Sequence, residues 1–134
     1  MPSQPIFSAW RATGSIIGID IGQKKNDGKS PSYLAIEMCD WYLSHQDKVV
    51  IDCIETDDNL YKKILGNLAG KRILSIEKTP EKHEIKICIE NAYFFVLTSN
   101  IDTYGSDAEL FFLLQDGKPP VGYSPEKGFS YGIQ

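Results

Sequence analysis

What the chain lacks narrows its chemistry first. Its three cysteines, Cys39, Cys53 and Cys88, form no C-x-x-C pair. An odd count without an export signal reads as reduced thiols in a cytoplasmic protein. No apolar run approaches the roughly 18 residues that span a bilayer. The opening Met1-Pro2-Ser3-Gln4-Pro5 has neither the basic patch nor the apolar stretch of a signal peptide. Positive charge is short as well: 14 Lys and Arg stand against 18 Asp and Glu, a net charge of −4. That balance disfavours a basic nucleic-acid binder, which needs clustered cations to neutralise phosphates. There is no G-x-x-x-x-G-K-[ST], no G-x-S-x-G and no H-x-x-x-H, so P-loop and α/β-hydrolase readings fail on residues alone. His45 and His83 lie in or beside expected turns, with no Ser, Cys or Asp at triad spacing, and read as solvated side chains.

What is present suits one domain with a modest core: 134 residues, 42% of them hydrophobic. Residues 1–14, with Pro2 and Pro5 and only Ile6, Phe7 and Trp10 as anchors, read as an N-terminal arm. Residues 15–134 read as a single α+β domain. Its strands are expected over Ser15–Ile21, Tyr33–Leu43, Lys48–Ile54, Lys71–Thr79, Glu84–Glu90, Ala92–Ser99 and Ala108–Gln115. In the clearest hairpin the alternation pairs Leu43 with Val49, Trp41 with Ile51 and Cys39 with Cys53, which makes the two cysteines worth checking for a disulfide. A turn near Glu90-Asn91 pairs Ile87 with Phe94 and Ile85 with Val96. Thr56–Leu68 is the one convincing helix. Thr56 serves as N-cap, Asp57 and Asp58 meet the helix dipole, and Leu60, Tyr61, Ile64, Leu65 and Leu68 form one stripe. From Asp116 the tail, with Pro119, Pro120 and Pro125, reads as irregular. The expected fold is a mostly antiparallel sheet of about six or seven strands with one main helix packed on it.

Several features invite a chemical reading. Ile17-Gly18-Ile19-Asp20-Ile21-Gly22 resembles the phosphate-1 motif of actin/Hsp70 ATPases and the first catalytic strand of RNase H-like resolvases, where the Asp helps hold a divalent metal. The ATPases need two such domains. Resolvases alternate helix and strand after the third strand, whereas here four strands follow one helix. The downstream Glu77, Glu81 and Glu84 lie on or beside strands, and metal chemistry wants carboxylates that converge. Asp20 therefore reads first as a polar strand residue. The aromatic cluster Tyr93-Phe94-Phe95 with Phe111 and Phe112 could stack nucleobases, but its charged neighbours are Asp102, Asp107 and Glu109, so core packing or a protein interface fits better. Acidic charge gathers in two places. Residues 40–60 hold Lys48 against Asp40, Asp47, Asp52, Glu55, Asp57 and Asp58, and Asp102, Asp107 and Glu109 flank the last strand. Such runs are either a solvated rim or a surface complementary to a cationic partner.

The stretch from Trp41-Tyr42-Leu43 through Leu65-Gly66-Asn67-Leu68-Ala69-Gly70-Lys71-Arg72-Ile73-Leu74-Ser75-Ile76-Glu77 to Ile85–Val96 resembles small bacterial immunity proteins of contact-dependent inhibition and other polymorphic toxin systems. The shared pattern is a hairpin starting near W-x-L, a helix ending in L-x-G-K/R, a strand, and a hairpin with an aromatic. Asn91-Ala92 departs from the glycine common in that last turn. The resemblance implies a cytoplasmic inhibitor of a cognate toxin, such as a nuclease, with no cofactor, no metal and no catalytic group. It brings no functional residue with it. On charge and aromatic character the contact residues are expected among Asp52, Glu55, Asp57, Asp58, Tyr93, Asp102, Asp107 and Glu109. A metal-dependent nuclease acting through Asp20 and a small-ligand or structural binding module are the rival readings.

Overall fold

Branched apolar residues alternate with polar ones along most of this chain, and the alternation is realised as short antiparallel strands. A computed structural model describes residues 2–80 and 82–130. Eleven strands and two helices occur among the described residues, with strand taking 47% and helix 10%. The fold is therefore mostly β, with more strands than the expected six or seven. They are β1 (Ile6–Arg11), β2 (Ile17–Ile21), β3 (Ser32–Ile36), β4 (Asp40–His45), β5 (Lys48–Asp52), β6 (Ile73–Lys78), β7 (Glu84–Ile89), β8 (Tyr93–Thr98), β9 (Phe111–Gln115), β10 (Lys118–Ser124) and β11 (Gly128–Ser130). The helices are α1 (Asp58–Gly66) and the single turn α2 (Ile101–Tyr104).

Two sheets replace the expected single one. The larger has the order β1-β2-β3-β9-β10-β11 and the smaller β5-β4-β8-β7-β6, antiparallel throughout. One core cluster joins Ile19, Leu34, Phe111 and Leu113 of the larger sheet to Trp41, Leu43, Ile87 and Phe95 of the smaller. Each such fully buried side chain contributes roughly 1.5–3 kcal/mol. Trp41 fastens the join: its indole meets Tyr61 and Phe95 edge-on at 6.2 and 5.7 Å, and Nε1 donates to the Ser15 carbonyl at 2.8 Å.

The differences from expectation have local causes. The segment 33–43 is two strands, because the chain crosses between sheets at 37–39, where the Glu37 and Met38 amides donate to the Leu110 and Glu109 carbonyls. The expected arm contains β1. A register shift between Ile6 and Ser8 breaks its alternation, and Pro2 and Pro5 precede the strand without interrupting it. The expected irregular tail contains β10 and β11. Pro119 and Pro120 fall inside the register shift between Lys118 and Val121, where the ladder asks no N–H of them. Met1, Glu81 and residues 131–134 lie outside the described residues.

The β4–β5 hairpin turns on Gln46 and Asp47, both at positive φ, and pairs His45 with Lys48 and Leu43 with Ile51. Past the bulge, the Cys53 amide donates to the Trp41 carbonyl at 3.0 Å, so Cys53 faces Trp41 rather than Cys39. The shift of two residues keeps Trp41, Leu43 and Ile51 on one buried face. Cys39 and Cys53 are free thiols. In the β7–β8 hairpin, Asn91 and Ala92 at positive φ lengthen the turn, so Ile87 meets Phe95 and Ile85 meets Leu97, not Phe94 and Val96. That register puts isoleucines opposite core partners.

Helix α1 begins later than expected because Asp57, not Thr56, caps it. The Asp57 carboxylate accepts from the Asn59 and Leu60 amides at 3.0 and 3.3 Å. Gly66 is the last residue of the helix. Tyr61 and Leu65 bury against the core, and the helix packs on β1 and β5, the edge strands of the two sheets. It closes one side of the sandwich and leaves the outer face of the larger sheet uncovered.

Candidate functional site

The period of two along β2, β3 and β9 sends Ile17, Ile19, Leu34, Ile36, Phe111 and Leu113 inward. It sends Gly18, Asp20, Tyr33, Ala35, Phe112 and Leu114 outward. Across the strands one outward row reads Trp10, Gly18, Ala35, Phe112, Gly122, and the next reads Ser8, Asp20, Tyr33, Leu114. Small residues in the first row make room for three rings. Trp10 and Tyr33 have centroids 6.0 Å apart, as do Tyr33 and Phe112. The indole lies over Gly18: a Cβ there would come within 2.6 Å of Trp10 Cζ2. Glu109 lies over Gly122 in the same way. Trp10 is 37% exposed and Leu114 42%, so the strip faces solvent where an antiparallel sheet ordinarily turns polar side chains outward.

Carboxylates gather around these rings. Burial, then Asp20 and Glu37, push the Tyr33 hydroxyl above its usual pKa. Burial, then Glu109, push the Glu37 carboxyl up. Among the described residues neither Glu37 nor Glu109 has a cation within salt-bridge distance, and Asp20 has only Lys24 Nζ at 3.9 Å. Beside Tyr33 the face dips into a cleft of about 360 Å³ whose walls include Asp20, Ser30, Pro31, Leu114 and Gln115.

The carboxylates named from the sequence divide between structural work and open surface. Asp52 accepts from the Ile54 amide at 3.1 Å, and its carbonyl accepts from the Tyr61 hydroxyl at 2.9 Å. Glu55 accepts from the Thr56 and Asp57 amides at 2.9 and 3.1 Å. Asp57 is the helix cap, and Asp58 pairs with Arg11, whose guanidinium sits 4.5 Å from the Tyr61 ring centre. These four hold the hairpin-to-helix junction together. Asp102, in the first turn of α2, and Asp107 are exposed. Glu109 joins Glu37 on the aromatic face. Tyr93 is buried, stacked on His45 at 3.9 Å with an 8° interplanar angle. Of the two histidines expected to be solvated, His45 is half-buried at the end of β4, while His83 is exposed at a bend before β7, its Nδ1 2.7 Å from the Tyr123 hydroxyl.

Trp10, Tyr33, Phe112 and Glu37 were missed as site residues. The signal was the outward parity of Tyr33 and Phe112, readable only once β3 and β9 are neighbours. Asp20 stands with Tyr33 and Lys24 on this face. Among the described residues no group of three or more His, Cys, Asp and Glu side chains converges as metal ligands.

The outer face of the smaller sheet differs. There Lys86 Nζ covers Phe94 at 4.2 Å, and Val96 is only 6% exposed. A second cleft of about 370 Å³ lies at that sheet's β5 edge, lined by Tyr42, Val49, Ile54, Asp40 and Asp52. Among the described residues no helix is long and apolar enough to cross a membrane. Comparison with family models, curated proteins and solved structures found no match to this chain.

Proposed function

We propose that this chain is a non-catalytic cytoplasmic binding protein, an immunity protein that neutralises a cognate bacterial toxin by covering a cationic surface of it. A nuclease is the toxin class whose basic substrate groove best matches such an inhibitor. The observation that carries the reading is the outer face of the larger sheet, where Trp10, Tyr33 and Phe112 are exposed or half-buried amid Asp20, Glu37 and Glu109. Aromatic anchors ringed by charge are the composition of protein interfaces. Carboxylates held near one another without internal cations lose repulsion when a cationic partner docks. The same charges repel phosphates, which disfavours direct nucleic-acid binding by these rings.

The test is pull-down of the product of the adjacent gene, together with rescue of cells that express that product. Glu37→Lys with Glu109→Lys should weaken capture by about tenfold or more, and added salt should weaken the wild-type complex. Asp102→Lys with Asp107→Lys serves as the comparison pair. Capture and rescue indifferent to Glu37, Glu109 and salt would remove this face as the interface.

A further inference from the structure

At the β5 corner of the smaller sheet three large apolar side chains stand exposed around one hollow. One outward row of that sheet reads Asp52, Tyr42, Val96, Lys86, Glu77 across the strands. In the next row Val49 stands opposite Ser44, whose small side chain leaves it uncovered. Val49 is 58% exposed, Ile54 just past β5 is 81% exposed and Tyr42 is 36% exposed. These three wall the cleft of about 370 Å³. Asp40 and Asp52 line it as well: Asp40 lies two residues along β4 from Tyr42, and Asp52 lies directly across the ladder from it. Asp40 accepts from Asn100 Nδ2 at 3.1 Å and Asp52 from the Ile54 amide at 3.1 Å, so both carboxylates keep unused acceptor positions. Among the described residues neither has a cation within salt-bridge distance. Lys86, the cation of that row, sits two strands from Tyr42 and lies on Phe94. Residues 40–60 hold only Lys48 against six carboxylates.

A bare apolar hollow suits many occupants; here the charge selects one. Nucleic acids and anionic bilayers present phosphates, which these carboxylates repel. A second copy of this chain docked about a two-fold axis brings the same carboxylates to face their own kind. We infer that the β5 corner is a second docking surface, taking an apolar side chain of a partner protein flanked by lysine or arginine. The apolar side chain shields Tyr42, Val49 and Ile54 from water, and the flanking cations reach Asp40 and Asp52. The aliphatic stems of those cations lie along the apolar walls while their heads stay at the rim. This surface does not depend on the strip of Trp10, Tyr33 and Phe112, which lies on the other outer face of the sandwich.

The experiment titrates the full chain with end-capped tetrapeptides of sequence Lys-Leu-Val-Lys, Glu-Leu-Val-Glu and Lys-Ser-Ser-Lys, following backbone amide shifts by NMR. Lys-Leu-Val-Lys should shift the amides of Tyr42, Val49, Ile54 and Thr98 and saturate in the millimolar range. The acidic peptide and the serine peptide should each bind about fivefold or more weakly. Val49→Ser with Ile54→Ser, both at exposed side chains, should weaken Lys-Leu-Val-Lys to the level of the serine peptide. Asp40→Asn with Asp52→Asn keeps the oxygens that accept from Asn100 and Ile54 and should remove the salt dependence of binding. Equal binding of the basic and acidic peptides, equal binding of the apolar and serine peptides, shifts confined to Tyr33 and Phe112, or no shifts at all would each overturn the assignment. The comparison of peptides on the wild-type chain stands even where a variant fails to fold. Capture of the adjacent gene's product that depends on Glu37 and Glu109, with no peptide response at the β5 corner, would sink this surface and leave the proposed function standing.

Discussion

Gly18→Ala tests whether the aromatic strip rests on the sheet as described. A Cβ at residue 18 would lie 2.6 Å from Trp10 Cζ2, 2.7 Å from Cε2 and 3.0 Å from the Tyr33 hydroxyl. Carbon atoms prefer about 3.5–4.0 Å, so the indole must lift by roughly 1 Å and give up its contact with β2. Overpacking of this kind costs about 1–3 kcal/mol. Replacing glycine inside a strand returns roughly 0.5–1 kcal/mol of chain entropy. The net expectation is a loss of about 0.5–2 kcal/mol, measured by urea unfolding. The chain has two tryptophans, of which Trp41 is 2% exposed and Trp10 37%, so acrylamide quenching reports chiefly on Trp10 and should rise. Gly66→Ala is the matched control: nothing lies within 4 Å of its added Cβ, and at a helical position it should stabilise by up to about 1 kcal/mol. If Gly18→Ala were as stable as the wild type with unchanged quenching, the indole would not lie on Gly18 and the strip as drawn would be wrong.

Two further changes probe the charges. Asp57→Ala removes the carboxylate that accepts from Asn59 and Leu60 and should cost about 0.5–2 kcal/mol in urea unfolding; no loss would return the cap to Thr56. Glu37 has a folded pKa above its ordinary 4.5, through burial and then Glu109. The folded state therefore holds this proton to higher pH than the unfolded chain does. The stability it contributes is present below the unfolded pKa and falls as pH rises through the window between the two values. Glu37→Gln should flatten that slope in unfolding measured from pH 4 to 7, and an unchanged slope would mean that burial and Glu109 do not hold the Glu37 carboxyl up.

Much of the smaller sheet was legible. β7 and β8 alternate cleanly, so their existence and buried faces follow from Ile85, Ile87 and Ile89 against Phe95 and Leu97. Their register did not, because positive φ at Asn91 and Ala92 adds a residue to the turn and nothing local announces it. The larger sheet was harder. β3 reaches β9 across some 75 positions of sequence, and no periodicity reveals which distant strand is a neighbour. β1 and β10 hid for another reason, since bulges break their alternation and prolines sit in or before them. The candidate site inherits these obscurities. Trp10 comes from β1, Tyr33 from β3 and Phe112 from β9, so the strip exists only in three dimensions. The acidic clusters were conspicuous in sequence because helix caps and tight junctions concentrate carboxylates, and that same work occupies Asp57 and Glu55.

The two outer faces of one sandwich make the case sharper than either alone. Both carry aromatic residues at outward positions; on the smaller sheet Lys86 lies on Phe94 and Val96 is nearly sealed, while Tyr42 at the β5 side stays 36% exposed. A cation over a ring is worth about 0.5–1 kcal/mol at an exposed site, enough to make that arrangement self-sufficient. The larger sheet has Trp10, Tyr33 and Phe112 with carboxylates where the smaller has a lysine. A carboxylate beside the negative face of a ring is electrostatically the wrong neighbour for the folded chain in isolation. It becomes the right one when a guanidinium or ammonium enters between carboxylate and ring, since both then attract the same charge. On the proposed reading the larger face is complementary to a basic partner, and a single added lysine tests that. Leu114→Lys, at a residue 42% exposed beside Tyr33 and the cleft, should leave unfolding within about 0.5 kcal/mol of the wild type while lowering toxin capture, because the chain would then carry its own cation. Capture that survives this change undiminished would show that charge at this face does not govern recognition.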